Sequence, residues 1–205
     1  MSEVRWIPGS DNLFAAAMND GTFLVFDKDL EERPLPLPKE RTGEFAVVKP
    51  EARSNPTACW LVSGQTLKSF EFSPDCRHVA IVGKDGTLKV FDFSEERLLV
   101  TFKSYFGGLS CVCWSPDGKY LLTGGEDDLV SIWDFEGRTI VARCEGHQSW
   151  VSGLAFDPFK SDEKVYRFGS VGEDTKLLLW DFSVGALNRP RAVSDFFFFL
   201  LSFCH

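Results

Sequence analysis

Four side chains in the last third of the chain hold a defined spacing, His147, Ser170, Asp174 and Trp180, and the first three have the types of a hydrolytic site. Asp174 stands six residues before Trp180, and Ser170 stands ten before it. A serine, a histidine and an aspartate can work together as nucleophile, general base and orienting carboxylate. That chemistry also needs an exposed serine on a sharp turn and donors for an oxyanion. No G-x-S-x-G elbow surrounds Ser170. The expectation is no catalysis, and no residue is assigned as catalytic. Metal chemistry fares no better. The cysteines Cys59, Cys76, Cys111, Cys113, Cys144 and Cys204 form no C-x-x-C pair, and only His78, His147 and His205 could add nitrogen. Neither a metal site nor a cofactor is expected. The N-terminal MSEVRWIPG lacks the basic-then-apolar layout of a secretory leader. Free buried thiols are therefore expected rather than disulfides, together with a cytoplasmic and/or nuclear location.

The elements that must position these residues come from a recurring phrase. It reads FEFSPD…GKDGTLKVFDF over 70–93, VCWSPDG…GGEDDLVSIWDF over 112–135, and LAFDP…GSVGEDTKLLLWDF over 154–182. A weaker copy, VRWIPGSD…MNDGTFLVFD, covers 4–27. Each copy is an apolar strand ending in an aromatic, a Pro/Asp/Gly turn, a second strand, an acidic turn, and a third strand ending in aromatic-Asp. In LSCVCWSP, Cys111, Cys113 and Ser115 alternate with Val112 and Trp114, which is the period of a strand. RTIVARCEG (138–146) supplies a fourth strand, as RLLVTFK does one unit earlier. Four short antiparallel strands per unit make a propeller blade, and a blade buries its faces only against its neighbours.

The closing aspartates Asp27, Asp92, Asp134 and Asp181 are 65, 42 and 47 residues apart. A blade takes roughly 40–45 residues, so the first interval holds an excess. It falls on 28–66, where RPLPLPKE and KPEARSNP occur. Proline removes a donor and fixes φ, so these stretches read as a surface excursion between blades. The expected fold is all-β: propeller blades, about four units in an incomplete ring over 1–183, with an insertion at 28–66. Three consecutive four-stranded blades are expected over 67–183. Residues 184–205 depart from the pattern and end in the Phe-rich FFFFLLSFCH. This tail reads as a segment packed on an open blade edge or as an abnormal end.

Composition narrows the function. Lys and Arg number 22 against 30 Asp and Glu, for a net charge of −8, with no basic block. That disfavours nucleic acid and anionic membrane as partners. The longest apolar run, FFFFLL (196–201), is far short of a membrane span. No small-molecule substrate is indicated.

GHQSW (146–150) precedes LWD (179–181), and SIWD (131–134) closes the unit before it. With this Gly-His start and Trp-Asp end in register, the chain resembles a WD-repeat protein over residues 4–183. YFGGLSCVCWSPDGKYLLTGGEDDLVSIWDF, GHQSWVSGLAFDP and YRFGSVGEDTKLLLWDF are more narrowly similar to the family of fungal CreC and the myotonic-dystrophy-locus WD-repeat protein. Members of that family are longer, close a full propeller, and are non-catalytic partners of ubiquitin-specific proteases. The resemblance implies such a protease as partner, with an incomplete, non-functional or dominant-negative fragment as the alternative. It also implies that His147, Ser170, Asp174 and Trp180 form a structural tetrad: Asp accepts from His, His bonds Ser, and Ser accepts from the Trp indole. In the preceding unit Thr123, Asp127 and Trp133 are present, but Tyr105 replaces the His. One unit earlier Ile81, Asp85 and Phe91 keep only the Asp, which predicts apolar packing there.

Propellers bind partners through the loops that enter their first strands. Tyr105 and Phe106 in SYFGG and Gln148 and Trp150 in GHQSW occupy such loops. Exposed aromatics on a rigid scaffold anchor interfaces. The alternative is that the rings fold inward as core, and for Trp150 the two readings stay open. Phe106 and Trp150 are expected on one face. RPLPLP (33–38) could serve as a polyproline ligand, but a stiff linker is the favoured reading.

Overall fold

The computed structural model describes residues 1–35, 45–161 and 164–183. The Phe-rich tail and much of RPLPLP lie outside the described residues. Every named element is a strand. The first sheet holds β1 (Glu3–Trp6), β2 (Leu13–Ala17), β3 (Thr22–Asp27), β4 (Ala46–Val48) and β5 (Ala58–Leu61), in the order β1-β2-β3-β5-β4. The second runs through β6 (Leu67–Phe72), β7 (His78–Gly83), β8 (Thr87–Asp92) and β9 (Arg97–Lys103). The third runs through β10 (Leu109–Trp114), β11 (Tyr120–Gly125), β12 (Leu129–Asp134) and β13 (Thr139–Glu145). The last contains β14 (Val151–Phe156), β15 (Val165–Gly172) and β16 (Leu177–Ser183).

All the ladders between named strands are antiparallel, and the last three sheets are plain meanders joined by short turns. The same register shift recurs at the start of the first strand of three sheets, between Leu67/Ser69, Leu109/Cys111 and Val151/Gly153. The strand β10 lies against both β6 and β14, and β6 touches β1, so the first strands of successive sheets line the inner side. The last strands, β9 and β13, are mostly exposed or half-buried.

Alternation in sequence becomes two buried faces in space. On β10, Cys111 and Cys113 pack with Tyr166, Phe168 and Trp180 of the next sheet. Val112 and Trp114 face the other way, onto Ala80, Val82 and Val90 of the preceding sheet. Every internal sheet is thus buried on both faces. Polar ties cross the seams: the Phe70 amide donates to Glu3 Oε2 at 2.8 Å, and the Trp114 indole donates to the Glu71 carbonyl at 3.1 Å.

Two expectations need correction. Residues 28–66 are more than an excursion. Within them β5 pairs with β3 from Thr22↔Leu61 to Val25↔Ala58 and completes the first sheet, with β4 added beyond it. Trp60 on β5 is fully buried against Phe23, Phe91 and Phe93. Asn55 fixes the return: its amide donates to the Asp27 and Leu30 carbonyls at 2.7 and 2.8 Å and accepts from the Asp27 amide at 2.9 Å. The prolines themselves stay outside the described strands, as their chemistry demands. Second, the three consecutive four-stranded blades expected over 67–183 are two, followed by a last sheet, β14–β16, that has three strands among the described residues.

Candidate functional site

The last sheet brings His147, Ser170, Asp174 and Trp180 together. His147 lies in the loop before β14, Ser170 on β15, Asp174 in the turn after it, and Trp180 on β16. His147 Nδ1 is 3.0 Å from Asp174 Oδ1, and Nε2 is 2.7 Å from Ser170 Oγ. The Trp180 indole donates to Ser170 Oγ at 2.8 Å. In the neutral tautomer that donates from Nδ1 to the Asp174 carboxylate, Nε2 accepts from the Ser170 hydroxyl, and Ser170 Oγ accepts in turn from the indole. Two glycines make room for it. A Cβ on Gly146 would stand 2.8 Å from the Trp180 ring, and one on Gly172 would stand 2.8 Å from His147 Nδ1. The Gly-His pair is therefore a packing requirement as much as a sequence sign.

Distance alone would allow a Ser-His-Asp triad. Burial decides against it. Ser170 is 1% exposed, so no substrate carbonyl can reach its oxygen. That oxygen is also already engaged by the Trp180 N–H. The arrangement satisfies polar groups that would be costly to bury unpaired. Burial alone would raise the Asp174 carboxyl. The Gln148 amide, His147 and the Lys176 amide outweigh it and hold the group at about 2.

In the β10–β13 sheet the network is broken. The Trp133 indole still donates to Thr123 Oγ1 at 2.9 Å. Tyr105, where the histidine would stand, turns outward, and its ring lies 5.3 Å from the Arg143 guanidinium. Asp127 Oδ2 is left buried with no hydrogen-bond partner. Burial raises the Asp127 carboxyl, and the nearby amides of Leu129, Asp127, Tyr105 and Phe106 offset only part of the effect.

The β6–β9 sheet uses a third solution. Ile81 and Phe91 are fully buried, as expected of apolar packing. The Asp85 carboxylate is nevertheless well supplied, by the Ser63 hydroxyl at 2.8 Å, the Thr87 hydroxyl at 2.7 Å and Lys89 Nζ at 3.3 Å. Burial alone would raise Asp85, but these donors leave it lowered. Ser63 stands where the histidine would, two residues ahead of Gln65 and four ahead of β6. Sequence reading passed over it because a lone serine in a loop carries no signal until the strand register is known.

Of the rim residues, Phe106 is 71% and Trp150 48% exposed, and both Tyr105 and Gln148 are exposed. The start of β10 lies against the start of β14, where the Ser110 hydroxyl donates to the Val151 carbonyl. The loops that carry Phe106 and Trp150 therefore leave on the same rim. An open groove of about 490 Å³ beside Tyr105 is lined by Leu129, Ile140, Val141, Ala142, Arg143 and Glu145. Arg143 was not foreseen, because only the fold brings it under Tyr105.

The thiols offer no reactive group at this rim. Burial pushes Cys111 up to about 11 and Cys113 and Cys144 up to about 12. Among the described residues, no group of three or more His, Cys, Asp or Glu side chains is placed to hold a metal.

The WD domain, G-beta repeat family matches residues 62–92, 96–134 and 138–181. The UBP9-binding protein bun62 of Schizosaccharomyces pombe is 42% identical over 207 residues, which is 94% of this chain and 38% of that protein. The chain thus spans well under half the length of this relative. Three matched repeats on three consecutive sheets, with a relative aligned along nearly all of the chain, show that it belongs to the WD-repeat family.

Proposed function

We propose that this chain is a non-catalytic interaction module that binds a ubiquitin-specific protease through the rim bearing Tyr105, Phe106, Gln148 and Trp150. One observation carries the reading: 42% identity along 94% of the chain to a protein named for binding UBP9. The rim is consistent with it. Large aromatic rings stand exposed in the loops that enter β10 and β14, with polar neighbours. The burial of Ser170 supports the non-catalytic part. The test is titration of a ubiquitin-specific protease with wild type, Phe106→Ala and Trp150→Ala. An anchor ring is worth roughly 2 kcal/mol, about 30-fold in Kd. Binding by both variants at wild-type affinity would remove this rim from the interface.

A further inference from the structure

The sheets differ at their outer edges. The first holds a fifth strand, because β4 lies along the outer side of β5. Its pairs are Ala46↔Leu61, Val47↔Trp60 and Val48↔Cys59. Phe45, one residue ahead of them, packs on Trp60 at 5.6 Å and on Phe91 of the next sheet at 4.7 Å. The chain thus adds an extended segment to the edge of its own blade.

The equivalent edge of the third sheet is open among the described residues, since β13 ends the order β10-β11-β12-β13. The opening does not follow from where the chain starts or stops, because described sheets pack on both faces of this one. Along β9 the insertion already intrudes: Lys49 Nζ is 2.7 Å from Glu96, and Leu98 packs into the cluster that holds Phe45 and Val47.

Register fixes the equivalence between β5 and β13. Thr22, two residues past its turn Asp20, pairs with Leu61; Leu129, two past Asp127, pairs with Glu145. Glu145, Cys144 and Arg143 therefore hold the places of Leu61, Trp60 and Cys59, the three residues that receive β4. The open groove of about 490 Å³ runs along this stretch, with Arg143, Glu145, Ala142 and Tyr105 in its lining.

The chemistry of the edge has changed. Where β5 offers Leu61 and Cys59, β13 offers Glu145 and Arg143, both exposed and, two residues apart, on one side of the strand. Residues directly opposite in an antiparallel pair share a side and interact. A strand running as β4 does would meet Glu145 first and Arg143 two residues later. Charges on an edge deter indiscriminate pairing, and here they prescribe a pattern: a basic residue, any residue, then an acidic one.

We infer that the outer edge of β13 takes an extended segment of a partner protein as a fifth, antiparallel strand, with a Lys or Arg opposite Glu145 and an Asp or Glu opposite Arg143. Main-chain hydrogen bonds hold the segment, and the two charges set its register. Neither Phe106 nor Trp150 is needed, so the site stands apart from the proposed protease contact.

Fluorescence anisotropy of the full chain with a labelled peptide, Thr-Phe-Lys-Val-Glu-Val-Thr, tests this. Saturable binding is expected. Arg143→Glu should weaken it about fivefold or more, and a peptide with Lys in place of Glu should restore binding to that variant. Both charged positions are exposed, so thermal melts should match wild type; Glu145→Lys, rescued by Glu in place of the peptide Lys, is the second variant should Arg143→Glu melt early. Two further peptides, N-methylated at one or the other set of alternate amides, read the main-chain pairing: one set should abolish binding and the other should leave it intact. Phe106→Ala and Trp150→Ala should bind the peptide as wild type does, so loss of protease binding and loss of peptide binding are read separately. No saturable binding, an Arg143→Glu effect that the swapped peptide does not rescue, or equal binding by both methylated peptides would each overturn the inference. Self-association of the chain abolished by Arg143→Glu would give the edge to a second copy and overturn it as well.

Discussion

The β14–β16 and β6–β9 sheets solve one problem with different chemistry. Both must fasten an entry loop, an acidic turn and two strands at a buried seam. The last sheet does it with four polar groups in series, His147, Asp174, Ser170 and Trp180, each bond between 2.7 and 3.0 Å. The β6–β9 sheet replaces the inner members with Ile81 and Phe91, and gives its turn Asp85 three short-range donors from Ser63, Thr87 and Lys89. The β10–β13 sheet lies between, with a Thr123–Trp133 bond but an orphaned Asp127 oxygen. A buried polar chain stabilises only when every member is present. The apolar solution has no such all-or-none condition, so it tolerates the loss of the histidine. The intermediate sheet shows what partial loss leaves: a carboxylate raised by burial rather than lowered by partners.

The largest expected effect lies on the apolar side. Phe91 is fully buried and meets Phe45 at 4.7 Å and Trp60 at 5.4 Å. Phe91→Ala should cost about 3–5 kcal/mol in urea unfolding, as removal of a core ring does. A cost near 1 kcal/mol would mean that Asp85 and its donors, not packing, fasten that sheet.

The polar side should be weaker per residue. Ser170→Ala strips a partner from both His147 and Trp180 and should cost about 1–3 kcal/mol. Thr123→Val removes one partner, that of Trp133, and should cost about 1 kcal/mol. Equal losses would show that the His147 branch adds nothing, and the distinction between complete and incomplete networks would fail.

This difference was only partly legible in sequence. The strands of the repeated units could be read because alternation and Asp/Gly turns are local: β10 falls within LSCVCWSP and β13 within 138–146, as expected. The tetrad was legible through the resemblance to WD repeats, which gave a structural meaning to the offsets of Ser170 and Asp174 from Trp180. What escaped depends on distant pairing. Prolines around residues 28–66 marked a loop, and they hid β5, a four-residue strand whose identity comes from pairing with β3. Trp60 sits in that short run with no periodic neighbour to announce it. Ser63 and Arg143 acquire partners only through the blade geometry.

Acidity separates the two aspartates by sign. Asp174 is lowered from 3.8 to about 2, so the native state binds fewer protons than the unfolded chain. Its contribution is present above about 3.8 and is lost as pH falls through about 2. Asp127 is raised, so its ionised form is penalised in the fold, and protonation on the acid side relieves that penalty. Asp174→Asn should melt below wild type at neutral pH, with the gap narrowing toward pH 2. Asp127→Asn should melt no lower than wild type at neutral pH, and lose ground to it as pH falls through the range where Asp127 takes up its proton. Parallel curves for the two variants would show that the lost histidine at Tyr105 is compensated by groups other than those around Asp127.

The smallest expected effects lie at the rim, where they mark off function from fastening. Tyr105 has left the seam and gains only its cation–π contact to Arg143, worth about 0.5–1 kcal/mol at an exposed site. Phe106 and Trp150 leave no cavity when truncated, because water already reaches them. Phe106→Ala and Trp150→Ala should change unfolding free energy by about 0.5 kcal/mol or less. Tyr105→His is the sharper probe, since it restores the residue that the complete network uses. If His at 105 turns inward to Asp127 and Thr123, thermal stability should rise, and the ring should leave the rim. A melt unchanged by Tyr105→His would mean that the entry loop, not the missing imidazole, holds the β10–β13 seam open. The Gly107–Gly108 pair, with Gly107 at φ +63, is the feature of that loop that would then account for it.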